Sequence, residues 1–177
     1  MATTLEEVAK ILEANKAKFE KNNETNSLAL LLNLEGYNLV MFIHLENNNS
    51  VVNIDFFIYC KNDFLGIEKC PNKPLLMQKL LNLNSTYNQG AWGLTEEGKI
   101  IFATRTALGD NSLTSKQLDS MLHAGVQIVR SSAEMIMHIV EYGEIPNKTE
   151  TVKMSADEKA LWEEFKRFKK LKEDSAI

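Results

Sequence analysis

The segment LTSKQLDSMLHAGVQIVRSSAEMIMHIVEYG, residues 113–143, is the longest uninterrupted helical pattern in the chain and carries its own start and stop. Thr114 stands as N-cap, Gln117 follows three residues on as its capping-box partner, and Leu113 and Leu118 flank the cap as a hydrophobic staple. Gly143, free to turn left-handed, is the stop. Between these limits Leu118, Leu122, Gly125, Val129, Ser132, Ile136 and Val140 form one stripe at three- and four-residue spacing, and Met121, Ile128, Met135 and Tyr142 form a second beside it. Together they span roughly 200° of the helix, about twice the arc that one packed face needs. Such a helix is covered on two sides, so something besides one sheet packs on it. The expected second cover is a dimer mate meeting Met121, Ile128, Met135 and Tyr142.

Upstream, Gln89 to Thr95 and Lys99 to Leu108 read as a hairpin around the turn Glu96-Glu97-Gly98. Before it, Pro74 starts a short helix through Leu75, Leu76, Leu80 and Leu81 to about Leu83. Further back, Ser27 to Cys60 has strand texture: Leu28, Leu30, Leu32 and Leu34 alternate with Ala29, Leu31 and Asn33, and Glu35-Gly36 makes a tight turn. Leu39, Met41, Ile43 and Leu45 then oppose Val40, Phe42 and His44. After an Asn-rich loop, Val52, Ile54, Phe56 and Ile58 oppose Val51, Asn53, Asp55, Phe57 and Tyr59. Three strands with short links make an antiparallel meander. Its outer side, with Val40, Phe42, Phe57 and Tyr59, is too apolar for a solvated face and is expected to be covered as well. Thr4 and Glu7 cap a first helix whose face of Leu5, Val8, Ile11, Leu12 and Phe19 runs on until Asn22-Asn23.

Downstream, Glu144 to Met154 reads as a linker, and Ser155 with Glu158 caps a tail helix that brings Trp162, Phe165 and Phe168 to one side. The expected fold class is α+β: a five-stranded antiparallel sheet packed by its first and last helices, in the order helix-βββ-helix-ββ-helix, followed by the tail helix. The domain expectation is a core over residues 1–143, a linker over 144–154 and an amphipathic helix over 155–177. The tail helix is expected to dock on its own domain or a mate, ahead of a partner protein and, least of all, an anionic membrane surface.

A chain of 177 residues suits one domain with a tail, and 44% apolar with 25% charged residues excludes a disordered chain. The net charge is −4 and the only basic run lies in the tail, which disfavours nucleic acid as a partner. Met1 to Lys10 reads as a capped helix start, not a signal peptide, and no apolar run is long enough to span a bilayer, so a cytoplasmic protein is expected. Cys60 and Cys70 are then free thiols in a reducing compartment.

The segment Leu75-Leu76-Met77-Gln78-Lys79-Leu80-Leu81-Asn82-Leu83-Asn84, a strand containing Trp92, and Glu97-Gly98-Lys99-Ile100-Ile101-Phe102, in this element order, resemble the YbjN-type domains of the type III secretion chaperone-like superfamily over about Thr4 to Val140. The resemblance implies a twisted sheet packed by first and last helices, a homodimer, and a bacterial protein that binds other proteins and catalyses nothing. Members of the chaperone branch hold an extended client segment across helix and sheet surfaces. The capped tail helix departs from that branch.

No catalytic signature is legible. His44, His123 and His138 lack the four-residue helical spacing of a zinc pair, so no metal and no cofactor are expected. Cys60 has no activating motif around it. Asp55 among apolar neighbours calls for a partner, and Arg105 is available. Two classes of function follow. The first is a non-enzymatic homodimeric adaptor or chaperone-like domain that grips a protein partner of unknown identity through Val40, Phe42, Phe57 and Tyr59 and through Trp162, Phe165 and Phe168. The second is a small-molecule-binding or catalytic domain using a cavity between sheet and long helix, with Asp55, Arg105 or Tyr59 as its polar groups.

Overall fold

The structure, a computed structural model, describes residues 3–109 and 111–146. In chain order it consists of α1 (Leu5–Ala14), β1 (Glu20–Asn22), β2 (Ser27–Leu34), β3 (Tyr37–Glu46), β4 (Val51–Cys60), β5 (Asp63–Phe64), a 3-10 turn (Ile67–Lys69), α2 (Lys73–Thr86), β6 (Ala91–Leu94), β7 (Ile100–Ala107) and α3 (Ser115–Tyr142). The α+β class is as read from the sequence. The sheet is antiparallel and larger than the expected five strands: its order is β1-β2-β3-β4-β7-β6, with β5 paired to β4 beyond the end of β7. The two extra strands, Glu20–Asn22 and Asp63–Phe64, are only three and two residues long, too short to show an alternation.

α3 begins and ends where its signals lie. The Thr114 hydroxyl accepts from Gln117 N (3.2 Å) and the Gln117 side chain accepts from Thr114 N (2.9 Å), while Gly143 closes the helix at φ +73°. α1 has the same capping box between Thr4 and Glu7 but stops at Ala14, well short of the expected Asn22. The reason is tertiary. Asn15, its C-cap, donates to Asp119 Oδ1 (3.0 Å) and Ser115 Oγ (3.4 Å) of α3, and the chain then turns through Lys16 (φ +56°) to pair Glu20–Asn22 with β2. α2 runs past Leu83 to Thr86 because the Ser85 and Thr86 hydroxyls donate back to the Asn82 carbonyl (2.7 and 3.1 Å).

The core lies between the inner face of the sheet (Leu28, Leu30, Leu39, Met41, Ile43, Val52, Ile54, Phe56, Ile58, Ile100, Phe102) and the helices (Leu5, Val8, Leu12, Leu76, Leu80, Leu118, Val129, Ile136). α3 crosses β4 so closely that Gly125 rests on the Phe56 ring, where any Cβ would overlap it. Phe56 packs on Phe102 and Phe102 on Trp92, with ring centroids 5.9 and 5.3 Å apart. Asn84 at the end of α2 brackets the Trp92 backbone, accepting from its N–H (2.6 Å) and donating to its carbonyl (2.9 Å).

Candidate functional site

The helices lie on the Phe56 face, and the opposite face of the sheet has none of the described helices over it. Register turns its side chains into cross-strand rows. Leu31, Val40, Phe57 and Ile101 form one row across β2, β3, β4 and β7; Ala29, Phe42, Asp55 and Ala103 form the next; Asn38, Tyr59 and Phe64 lie on the other side of the first. Phe57 is central. Its ring meets Phe42 edge-on (5.8 Å, 75°) and Phe64 at a tilt (5.3 Å, 56°), and Phe64 in turn meets Tyr59 edge-on (5.4 Å, 74°). Leu31 at the margin is 60% exposed.

Val40, Phe42, Phe57 and Tyr59 are thus brought together as the sequence suggests, joined by three residues that it did not single out. Leu31 and Ile101 were detectable from strand parity. Phe64 was not, since it arrives on a two-residue strand inside what reads as a loop. Trp162, Phe165 and Phe168 lie outside the described residues. Of the second stripe of α3, Met121, Ile128 and Met135 are partly buried against the core, and Tyr142 is exposed with its ring against His138 (4.7 Å). α2 runs along that flank, Tyr87 Oη lying 3.0 Å from Ser131 Oγ.

The face changes character toward the β3–β4 turn. His44, Glu46, Asn53, Asp55 and Arg105 gather there: Asn53 Nδ2 donates to His44 Nε2 (2.9 Å) and Glu46 Oε1 (3.1 Å), and Arg105 Nη2 lies 3.6 Å from Glu46 Oε1. His44 Nε2 also lies 3.2 Å from Glu46 Oε1, and His44 Nδ1 lies 3.8 Å from Asp55 Oδ2. The direct partner of Asp55 is therefore His44 and not Arg105, which stands opposite Asn53 in the register. Burial pushes the Asp55 carboxyl above its usual range; the charges of His44 and Arg105 pull the other way without overcoming it.

Cys60 and Cys70 are free thiols far from this corner: burial raises Cys60, and Cys70 donates to the Ile139 carbonyl (3.5 Å). No cluster of metal-ligating side chains occurs among the described residues. Phe56, Phe102 and the α3 side chains fill the interface between sheet and long helix. A cleft of about 290 Å³ lies instead at the edge of β7, lined by Asn88, Gln89, Thr104, Thr106, Gln117 and Ser120 among others. A second holds Tyr59 with Tyr37 and Asn38. Neither brings Asp55, Arg105 and Tyr59 to one cavity. No helix among the described residues is long and apolar enough to cross a membrane.

No family model matches the sequence, and a search of curated proteins finds no relative. Among solved structures the chain is similar to the crystal structure of YbjN from E. coli, named there as a candidate transcription regulator, at a TM-score of 0.51 and 12% identity over 81% of this chain and 93% of that one. At that identity the likeness concerns architecture alone, and the conclusion it supports is that this chain has a YbjN-like α+β fold.

Proposed function

We propose that the chain is a non-enzymatic protein-binding domain, a chaperone-like or adaptor module of the kind its resemblance to the type III secretion chaperone-like superfamily implies, acting in the cytoplasm as a homodimer. One observation carries the reading. Leu31, Val40, Phe42, Phe57, Tyr59, Phe64 and Ile101 form a continuous aromatic and aliphatic surface on a sheet face without a described helix above it. Contiguous apolar surface of this kind marks a binding site more often than it marks a solvated sheet. A partner segment with apolar side chains on one side fits it, with Glu46, Asp55 and Arg105 at the polar rim. The dimer surface is the α2–α3 flank, where Met77, Leu81 and Tyr142 are exposed beside Met121, Ile128 and Met135.

The test is retention of partners from the native extract by the intact protein and by Phe42→Asp/Phe57→Asp. Expected is a specific partner lost with the double variant while circular dichroism is unchanged. Equal retention by the two proteins overturns the reading of this face. Sedimentation at micromolar concentration tests the dimer, and a monomer there removes that part.

A further inference from the structure

On the inner side of the sheet the helical layer has a gap. α1 lies against β2, α3 against β4 and β7, and α2 against β6 and α3; none of them has its main packing on β3. Yet the inner row of β3 is buried: Tyr37 and Met41 are 9% and 6% exposed, Leu39 and Ile43 not at all. At 100° per residue, α3 presents two flanks beside its central stripe. One, with Met121, Ile128 and Met135, faces α2 through Tyr87 and Ser131. The other carries Leu122, Val126, Ala133 and Met137, all apolar and all at least partly buried, and α1 reaches only its first turns, through Asn15 to Ser115 and Asp119. Beyond Asp119 no described helix lies along this flank. Between this flank and the β2–β3 hairpin no described helix has its main packing, although the β3 row there is buried; this strip, the groove, ends at the C-terminal end of α3. There Asn72 donates to the Gly143 carbonyl (3.2 Å), and residues 144–177 continue from that point.

We propose that the chain's own segment Ser155–Lys172 is the missing helix of this layer, returning antiparallel to α3 and laying Leu161, Trp162, Phe165 and Phe168 along Val126, Met137 and the β3 row. The lengths agree. The nine residue steps from Pro146 to Ser155 reach up to ~30 Å, and an 18-residue helix covers about 27 Å. The ten residues of β3 span roughly 33 Å, and the linker is short enough to hold the segment at millimolar effective concentration. The segment covers the Leu122, Val126 and Met137 flank of α3, opposite the flank that faces α2. This site is on the opposite side of the sheet from the proposed partner face, so each reading stands or fails without the other.

In the full chain, Trp92→Phe leaves Trp162 as the sole indole. Expected are the emission of a buried indole, independence of protein concentration on hundredfold dilution, and slow amide exchange from Glu158 to Lys170. Val126→Asp in the groove shifts the emission red, to that of the unfolded chain, and abolishes the protection, whereas Phe57→Asp on the outer face changes neither. Should Val126→Asp fail to fold, Met137→Lys at the rim of the same flank takes its place. Emission of an exposed indole in the parent, emission that moves with dilution, or a response to Phe57→Asp instead of the groove variant overturns the proposal. These outcomes point respectively to a free tail, a second copy and the outer face.

Discussion

Gly125→Ala pits two effects of known size against each other. Alanine in place of glycine inside a helix favours folding by about 1 kcal/mol, and α3 is a 28-residue helix that would ordinarily welcome it. Against this, the new Cβ overlaps the Phe56 ring: two ring atoms are closer still, and the third nearest is only 2.7 Å away. Ordinary carbon contacts are about 3.5–4.0 Å. The ring has little room to yield, because Phe56 is 1% exposed and backed by Phe102, which is itself backed by Trp92. Overpacking costs about 1–3 kcal/mol, and a rigid aromatic neighbour puts this site at the upper end. The net expectation is about 2 kcal/mol of destabilisation, or roughly 4–8 °C in Tm for a chain of this size. Urea unfolding followed by circular dichroism measures it. In a Phe56→Leu background the same alanine should cost less than about 0.5 kcal/mol, since the clash is gone and the helix gain remains; the difference is the coupling between the two positions. A Gly125→Ala protein as stable as its parent, or more so, would refute the close crossing of α3 over β4 and with it the account of how that interface is filled.

Asn84→Ala removes both hydrogen bonds that tie α2 to the Trp92 backbone, and should lower stability by about 2 kcal/mol in urea melts while speeding exchange of the Trp92 amide. Thr114→Ala uncaps α3 and should lower stability by about 1 kcal/mol by the same assay, with Thr114→Ser close to the parent. Two carboxylates should respond to pH with opposite sign. Asp55, raised by burial, contributes stability that is present below its unfolded pKa of about 3.9 and lost as pH rises through its folded value, so Asp55→Asn should gain on the parent between acid and neutral pH. Asp63, held at about 2 by its hydrogen bonds to Lys99 and Lys69, contributes above that unfolded value and loses its contribution as pH falls through about 2. Asp63→Asn should therefore be the less stable protein at neutral pH and lose its deficit in acid, by an amount that shrinks in salt because the site is exposed. Stability curves of both variants against pH, at two salt concentrations, check the signs.

What the sequence disclosed and what it concealed divide along a physical line. Thr114, Gln117 and Gly143 bound α3 in the structure because cap chemistry is local and answers to residues within one turn. The meander was legible from parity, and parity alone brought Val40, Phe42, Phe57 and Tyr59 to one face. The end of α1 was not legible: Phe19 continues the apolar spacing, and what stops the helix is the grip of Asn15 on Asp119 and Ser115, about a hundred residues away in sequence. Phe64 escaped for a related reason, as its strand exists only because Tyr59 and Cys60 extend beyond the end of β7 and offer it an edge. The partner of Asp55 was misassigned because choosing between His44 and Arg105 takes the register of three strands, which spacing within one strand does not encode.

The buried hydrogen bond from Leu113 N to Thr3 Oγ1 (2.7 Å) joins the threshold of α1 to the threshold of α3 across a separation of 110 residues. Its consequence is an order of events in time. The meander of β2, β3 and β4 closes loops of a few residues and can zip from its turns, while the Thr3 clasp closes only after the intervening chain is in place, since long loops are slow to shut and unrewarded until they do. Interactions made last leave the rate of folding almost untouched and govern the rate of opening. Loosening Thr3 should therefore steepen escape from the native state, whereas weakening the turns of the meander should delay arrival at it, and the two limbs of a chevron would separate the clasp from the nucleus.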